Sequence, residues 1–507
     1  MKISINKIIL FLSVNILIIT SCIPLEEDLS GVISIENLAT EGDIETALTS
    51  IYRQVLITHA DPHFLRTPTY GADDITTWEA GNKAPLRVFD RFDYGNGENA
   101  NIVWLDHGWN NYWRTIYFSN SLINGLKTST ASQEAIAVGD AEARFFRALS
   151  YLNLVRTHGN MPIILDETTP TGEEVRATVL ENYAHIEADL LIAEANLPAA
   201  GSTANFGRVS AAAAKTVLAD LYLTWAGWPV KDNTKYQLAA NKAKEIIDSG
   251  AFTLLPIDNL WLLESQNSSE SIFSVQFSKS ENIRSNYATA HSFHESRGFS
   301  DAFPELQFFN DFPDGPRKDA TFYTEIPQRG VSGGNIIILD PATKPWQESQ
   351  RKHPMYKKFT ITADLTVANR VFDFRARELY RYAEVLLIYA EAQARIGETA
   401  SSIEALNQVK RRAAGFDYST PNPTIDVGSA TPDEILAEKG WELAGEYKRW
   451  FDLIRTEKLE EIAALRDPAE NVLPVRLPGK EQYITPIPFL AISTSSLQQN
   501  PEGFKIK

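Results

Sequence analysis

Residues 141–164 read AEARFFRALSYLNLVRTHGNMPII, and the spacing within this stretch decides the architecture. Phe145, Ala148, Leu149, Leu152 and Val155 recur at three- and four-residue steps, so they share one face of an α-helix. Arg144, Arg147, Asn153 and Arg156 fall elsewhere on the wheel. The stretch therefore predicts an amphipathic helix, stopped by Gly159 and Pro162. Downstream, Ser210 reads as the N-cap of a second helix carrying Val217, Leu218, Leu221, Tyr222 and Trp225. A third runs from Tyr236 through Ala239, Ala243 and Ile246 to Gly250. The short connection between them contains Gly227, Pro229, Asp232 and Asn233, which predicts an antiparallel helical hairpin.

The same period returns near residue 380. Tyr382, Val385, Leu386, Tyr389, Gln393 and Ile396 line one stripe, while Ala383, Leu387, Ala390 and Ala394 line another. A helix apolar on two sides is packed on two sides. Arg381, Glu384, Glu391 and Arg395 occupy the remaining face, with Glu391 and Arg395 spaced for an i,i+4 pair worth ~0.3 kcal/mol. Gly397 ends this helix, and a partner runs from Ser401 through Ile403, Leu406 and Val409 to Arg412. Paired helices with small residues at close-packing positions predict a mainly α fold on a tetratricopeptide-like helical-pair scaffold, although the consensus signature of that repeat is absent.

Two stretches break the helical period: residues 59–108 and 256–374 are rich in Gly, Pro, Asn, Asp and aromatics. Long irregular segments inside a compact protein usually carry function. Within the second, residues 271–277 (SIFSVQF) and 335–339 predict strands, so a few short β-hairpins decorate the frame. The 507 residues, 44% hydrophobic, suffice for an extensive core. A formal charge of −17 argues against nucleic acid as a partner.

At the N-terminus, Lys2 and Lys7 precede an apolar run over residues 8–19 that closes on Thr20, Ser21 and Cys22. This is the pattern of a signal peptide over residues 1–21, ahead of a single domain over 22–507. Asn15 interrupts the run, which is shorter than the ~20 residues a membrane-spanning helix needs. Cys22 is the only cysteine, so the chain can form no internal disulfide and no thiolate metal site. Lipidation is the natural use for that thiol: Ile19-Thr20-Ser21-Cys22 resembles a bacterial lipobox, and residues 24–28 resemble the acidic surface-export signal of Bacteroidetes lipoproteins.

Residues 141–164 resemble the most recognisable stretch of the SusD/RagB family of outer-membrane nutrient-binding lipoproteins, and further blocks agree in order. They are Gly207-Arg208-Val209 with the helix after it, residues 381–387 with Glu391-Ala392, residues 449–455 (RWFDLIR), and Pro486-Ile487-Pro488 with Gln499-Asn500-Pro501 and Gly503-Phe504. The departures cluster ahead of RWFDLIR. Where the family carries Glu-Arg this chain has Glu438-Lys439 followed by Gly440, at ~1 kcal/mol for a mid-helix glycine, and Tyr447 stands where the family has glycine. The resemblance implies a glycan-binding lipoprotein of the outer membrane. It would act as a lid over a SusC-like TonB-dependent transporter, with the irregular segments facing the glycan, and it would be no enzyme.

Sugars present flat C–H faces rimmed by hydroxyls, so a site needs aromatic rings for stacking and polar groups for directional hydrogen bonds. Trp78 and Trp104 are the candidate stacking rings, with Asp74, Arg87, Tyr94 and Asn101 as polar or edge partners. Both tryptophans equally suit loop packing. Tyr287, Phe293, Arg297, Phe299 and Trp346 could complete a groove, although core packing or loop anchoring is the favoured reading for each, whereas Trp109 and Trp113 read as core. His59 with His63 and His291 with His294 read as solvated loop histidines, Asp311, Asp314 and Asp319 as a polar turn, and no metal or other cofactor is expected. The rival readings are a secreted glycoside hydrolase, which needs only two facing carboxylates, and a helical-repeat scaffold that binds proteins.

Overall fold

The computed structural model describes residues 38–500 except 63–64, 66, 80, 94–103, 166–172, 201–206, 333–334, 361–371 and 398, and leaves the side chains of 67 and 327–343 undescribed. The signal peptide and Cys22 thus lie outside the described residues. The frame consists of α1 (Glu41–His59), α2 (Ala84–Asp90), α3 (Leu105–Leu126), α4 (Gln133–His158), α5 (Val179–Asn196), α6 (Ala211–Ala226), α7 (Lys235–Ser249), α8 (Tyr382–Ile396), α9 (Ala400–Ala413), α10 (Pro432–Glu442) and α11 (Arg449–Arg455). The predicted caps are present. Ser210 accepts from the Ala213 amide, and Gly250 ends α7 in the left-handed conformation. Successive helices pack as a stack, α3 on α4, α4 on α5, α5 on α6 and α6 on α7, with α8 against α7, α9 and α10. Among the described residues no helix is long and apolar enough to cross a membrane.

The expected apolar face of α4 is buried throughout, and Phe145 and Phe146 meet Phe273 edge-on or tilted. Its polar face is a correction to the amphipathic reading. Arg147 is buried and grips Asp189 of α5 at 2.7 and 2.8 Å, while Arg156 reaches Asp220 of α6 at 3.0 Å. The same holds for α8. Glu391 does not form a surface pair with Arg395; it is buried and clamped by both terminal nitrogens of Arg455 at 2.6 Å each. Arg147, Arg156 and Glu391 thus meet opposite charge on a facing helix rather than water, because a charged group withdrawn from solvent needs a partner.

Between α7 and α8 the chain makes a long excursion. Its neck is an antiparallel pair of β1 (Ser271–Val275) and β6 (Arg377–Arg381), which runs from Ser271 opposite Arg381 to Val275 opposite Arg377 with the register shifting around Phe273. Inside it lie a two-residue pair, β2 (Phe322–Tyr323) with β5 (Met355–Tyr356), and a true hairpin of β3 (Glu325–Ser332) with β4 (Asn335–Pro345). Of the two strand segments read from the sequence, only residues 335–339 belong to a hairpin. The other pairs with a partner about a hundred residues away, which its local pattern could not specify.

The excursion is held to the stack by a buried lattice of charge. Arg381 contacts Glu442 at 2.6 Å, Glu270 at 3.0 Å and Glu446 at 2.9 Å. Arg412 bonds Glu270 at 3.1 Å and also Glu442, Arg317 reaches Glu438 at 2.6 Å and Glu442 at 3.1 Å, and Lys358 reaches Glu446 at 2.8 Å. Burial pushes the Glu442 carboxyl up, but the guanidiniums of Arg412, Arg381 and Arg317 outweigh it and hold that group at about 2. Nearby, Gly440 has a reason to lack a side chain: a Cβ there would lie 2.9 Å from a terminal nitrogen of Arg449, which is itself anchored on Asp73 at 2.8 and 3.1 Å.

Glu442→Gln should cost ~3–5 kcal/mol in urea unfolding at neutral pH, since it strips a shared carboxylate from three buried guanidiniums. Because the folded value lies below the ordinary 4.5, the Glu442 contribution is complete above about pH 4.5 and is lost as pH falls toward 2. An unchanged midpoint in the variant would show that the lattice is dispensable.

Candidate functional site

The two irregular segments meet. Thr76 and Phe303 exchange backbone hydrogen bonds at 2.7 and 3.2 Å, Lys83 pairs with Asp301, and the Tyr356 hydroxyl donates to the Asp74 carbonyl. Beneath this seam lies an aromatic cluster including Tyr70, Phe89, Tyr287, Phe308 and Tyr356. Tyr447 belongs to it. Its backbone is left-handed at φ 61°, a conformation that suits glycine, yet its ring is buried and its hydroxyl meets His291 Nε2 at 2.9 Å. His291 and His59 are therefore interior residues rather than solvated loop histidines, and His63 lies outside the described residues.

Of the six candidate ligand residues, Trp78 is half-buried and carries the guanidinium of Arg351 over its ring at 4.4 Å. Arg87 lies beside it, half-buried, and donates to the Trp78 carbonyl at 3.3 Å. Trp104 stands at the start of α3, half-buried, with its ring against the aromatic cluster. Tyr94 and Asn101 lie outside the described residues.

Asp74 turns inward, which corrects its assignment as a surface hydrogen-bonding group. It is 1% exposed and accepts from the Gly445 amide at 2.9 Å. Burial, reinforced by the Asp73 carboxylate, pushes its carboxyl up to about 7. Asp74 thus pins the first irregular segment to the turn after α10. Of the possible groove residues, Tyr287 and Phe293 are buried, Phe299 and Trp346 are half-buried, and Arg297 is exposed.

Sequence reasoning missed Lys83 and Arg351. Lys83 lies 5.7 Å above the Phe299 ring, and the Nε of Arg351 has no hydrogen-bond partner among the described residues. Glu295 stands on the same side, with its carboxylate on the Gln350 amide at 2.5 Å. One ring with cations and carboxylates around it can stack on an apolar face and hydrogen-bond what rims it. Among the described residues no group of His, Cys, Asp and Glu is arranged to hold a metal ion.

Known proteins share this arrangement of helices and loops. A family model described as "SusD family" matches residues 269–502, and one described as "Starch-binding associating with outer membrane" matches residues 36–223. The chain belongs to the SusD/RagB family. A SusD-like protein of Bacteroides ovatus is 25% identical over 69% of this chain, a match that spans 65% of that relative. The crystal structure of a SusD homolog from Bacteroides thetaiotaomicron superposes with a TM-score of 0.76 at 21% identity, over 92% of this chain and 98% of that one. Surface glycan-binding protein A from Bacteroides fluxus gives a TM-score of 0.74 at 24% identity, over 91% and 99%. The tetratricopeptide-like stack is thus the SusD fold.

Asp74→Asn separates anchoring from ligand contact. The folded value of about 7 lies above the ordinary 3.8, so the folded chain keeps a proton there that the unfolded chain releases. The wild type should therefore lose stability, relative to the variant, as pH rises from about 4 to about 7. Melting curves across that range check this, and a constant difference between the two proteins would contradict the inward role.

Proposed function

We infer that this chain captures an oligosaccharide or polysaccharide at the cell surface and does not cleave it. The observation that carries the reading is Trp78, a half-buried ring on a face assembled from both irregular segments, with Arg351 over it and Arg87 beside it. The guanidinium covers one side of the ring, so a sugar's C–H face would settle on what remains exposed. Trp104 is the second stacking ring, and Tyr94 and Asn101 belong to the same segment.

Residues 22–507 form one nutrient-binding domain behind a cleaved leader, tied by lipidated Cys22 to the outer face of the outer membrane. A SusC-like TonB-dependent transporter receives the glycan. Support for this comes from the leader pattern, from the family, and from a fold neighbour that is itself a surface glycan-binding protein.

Calorimetry of the delipidated protein against a glycan panel, with the same mixtures assayed for new reducing ends, tests the reading. Trp78→Ala should weaken the best ligand by ~1–3 kcal/mol with the melting temperature unchanged. Trp104→Ala should weaken it too, and should also cost stability because that ring packs on the aromatic cluster. Unaltered affinity in both variants would move the site elsewhere, and release of product at enzymatic rates would overturn binding without cleavage.

A further inference from the structure

Away from the Trp78 face, the ends of α4 and α6, the start of α5, α11 and the C-terminal segment enclose a cavity of about 240 Å³. Its walls are apolar: Tyr183, Trp228, Phe451, Ile454 and Ile484. An apolar cavity of about 150 Å³ accommodates benzene, so this one has room for a single ring with a short side chain.

The polar groups of the lining are one-sided. Three arginines border the cavity, and among the described residues no carboxylate does, although the chain as a whole carries −17. Arg455 is spoken for by Glu391 and Asp452. Arg176 donates to the carbonyls of Asn160 and Gln498 at 2.8 and 3.1 Å and to the Asn500 side-chain oxygen, which holds its head at the rim and leaves at most the second N–H of each terminal nitrogen to meet a ligand. Arg156 places its guanidinium over the Phe451 ring at 4.4 Å, with one terminal nitrogen on Asp220 at 3.0 Å and the other on the Asn153 side chain at 3.4 Å. Its side chain is only 7% exposed, and its Nε–H has no acceptor among the described residues. A buried donor without a partner costs free energy that an incoming acceptor would recover. Apolar walls, room for one ring, and arginines as the charged groups of the lining among the described residues, their carboxylate partners lying behind it, together describe the complement of a small organic anion with an aromatic body.

We propose that this cavity is a second binding site, distinct from the glycan face, that takes a small aromatic monocarboxylate. The ring inserts between Trp228, Phe451 and Tyr183, and the carboxylate accepts from the arginines at the edge. None of the cavity's lining residues belongs to the Trp78 face, so the site holds or falls independently of glycan binding.

Calorimetric titration of the full mature chain with 3-phenylpropionate, and with its neutral amide, tests the proposal. The acid should bind with one-to-one stoichiometry and at least tenfold more tightly than the amide. Val179→Phe, which fills the cavity from a half-buried position at its rim, should abolish acid binding with little change in melting temperature. Arg176→Gln should weaken the acid at least fivefold and leave the amide where it was. Equal affinity for acid and amide in the wild type would overturn the anion preference. Undiminished binding to Val179→Phe, or none by the wild type at millimolar acid, would overturn the site.

Discussion

Four cations and four carboxylates, withdrawn together from water, join the loop-bearing part of this protein to its helical stack. Arg317 and Lys358 come from the excursion, Arg381 from its closing strand and Arg412 from α9, facing Glu270, Glu438, Glu442 and Glu446. An apolar joint of equal size could match such a lattice in stability, because desolvating the charges consumes much of their mutual attraction. What the lattice adds is direction. A guanidinium that must meet two or three carboxylates at hydrogen-bond distance tolerates little sliding or rotation, so the loops are set at one orientation relative to the helices.

That arrangement explains which parts of the molecule were legible in the sequence. The helices were, because Phe145, Ala148, Leu149 and Leu152, or Tyr382, Val385 and Leu386, report a local period that tertiary packing reinforces. The polar faces were misread for the same reason. A wheel shows that Arg147 or Glu391 points away from the apolar stripe, but it cannot show whether water or Asp189 or Arg455 waits there. Strand pairing across the excursion was invisible, since Ser271 and Arg381 are brought together only by the finished fold.

The candidate site divides along the same line. Residue chemistry pointed to the 59–108 segment, and the structure sets Trp78 and Arg87 side by side. Nothing local distinguished Asp73 and Asp74 from surface acids, yet one anchors Arg449 and the other the Gly445 amide. Arg351 was missed because its meaning lies in a ring nearly three hundred residues earlier. The oddities beside RWFDLIR acquire causes too: Gly440 leaves room for Arg449, and Tyr447 trades backbone ease for a hydroxyl on His291.

The β1–β6 neck brings the two ends of the excursion to adjacent strands, so the chain leaves the stack and returns to it side by side. Closing a longer or shorter loop on such a pair changes the entropic cost only slowly with length. Insertions and deletions between these strands therefore cost little in closure entropy, provided that the hydrogen bonds of the excursion to Thr76, the Asp74 carbonyl and Tyr447 are kept. A further condition travels with each change: two positive charges must stay at the places of Arg317 and Lys358, or the acids of the stack will face the excursion short of partners.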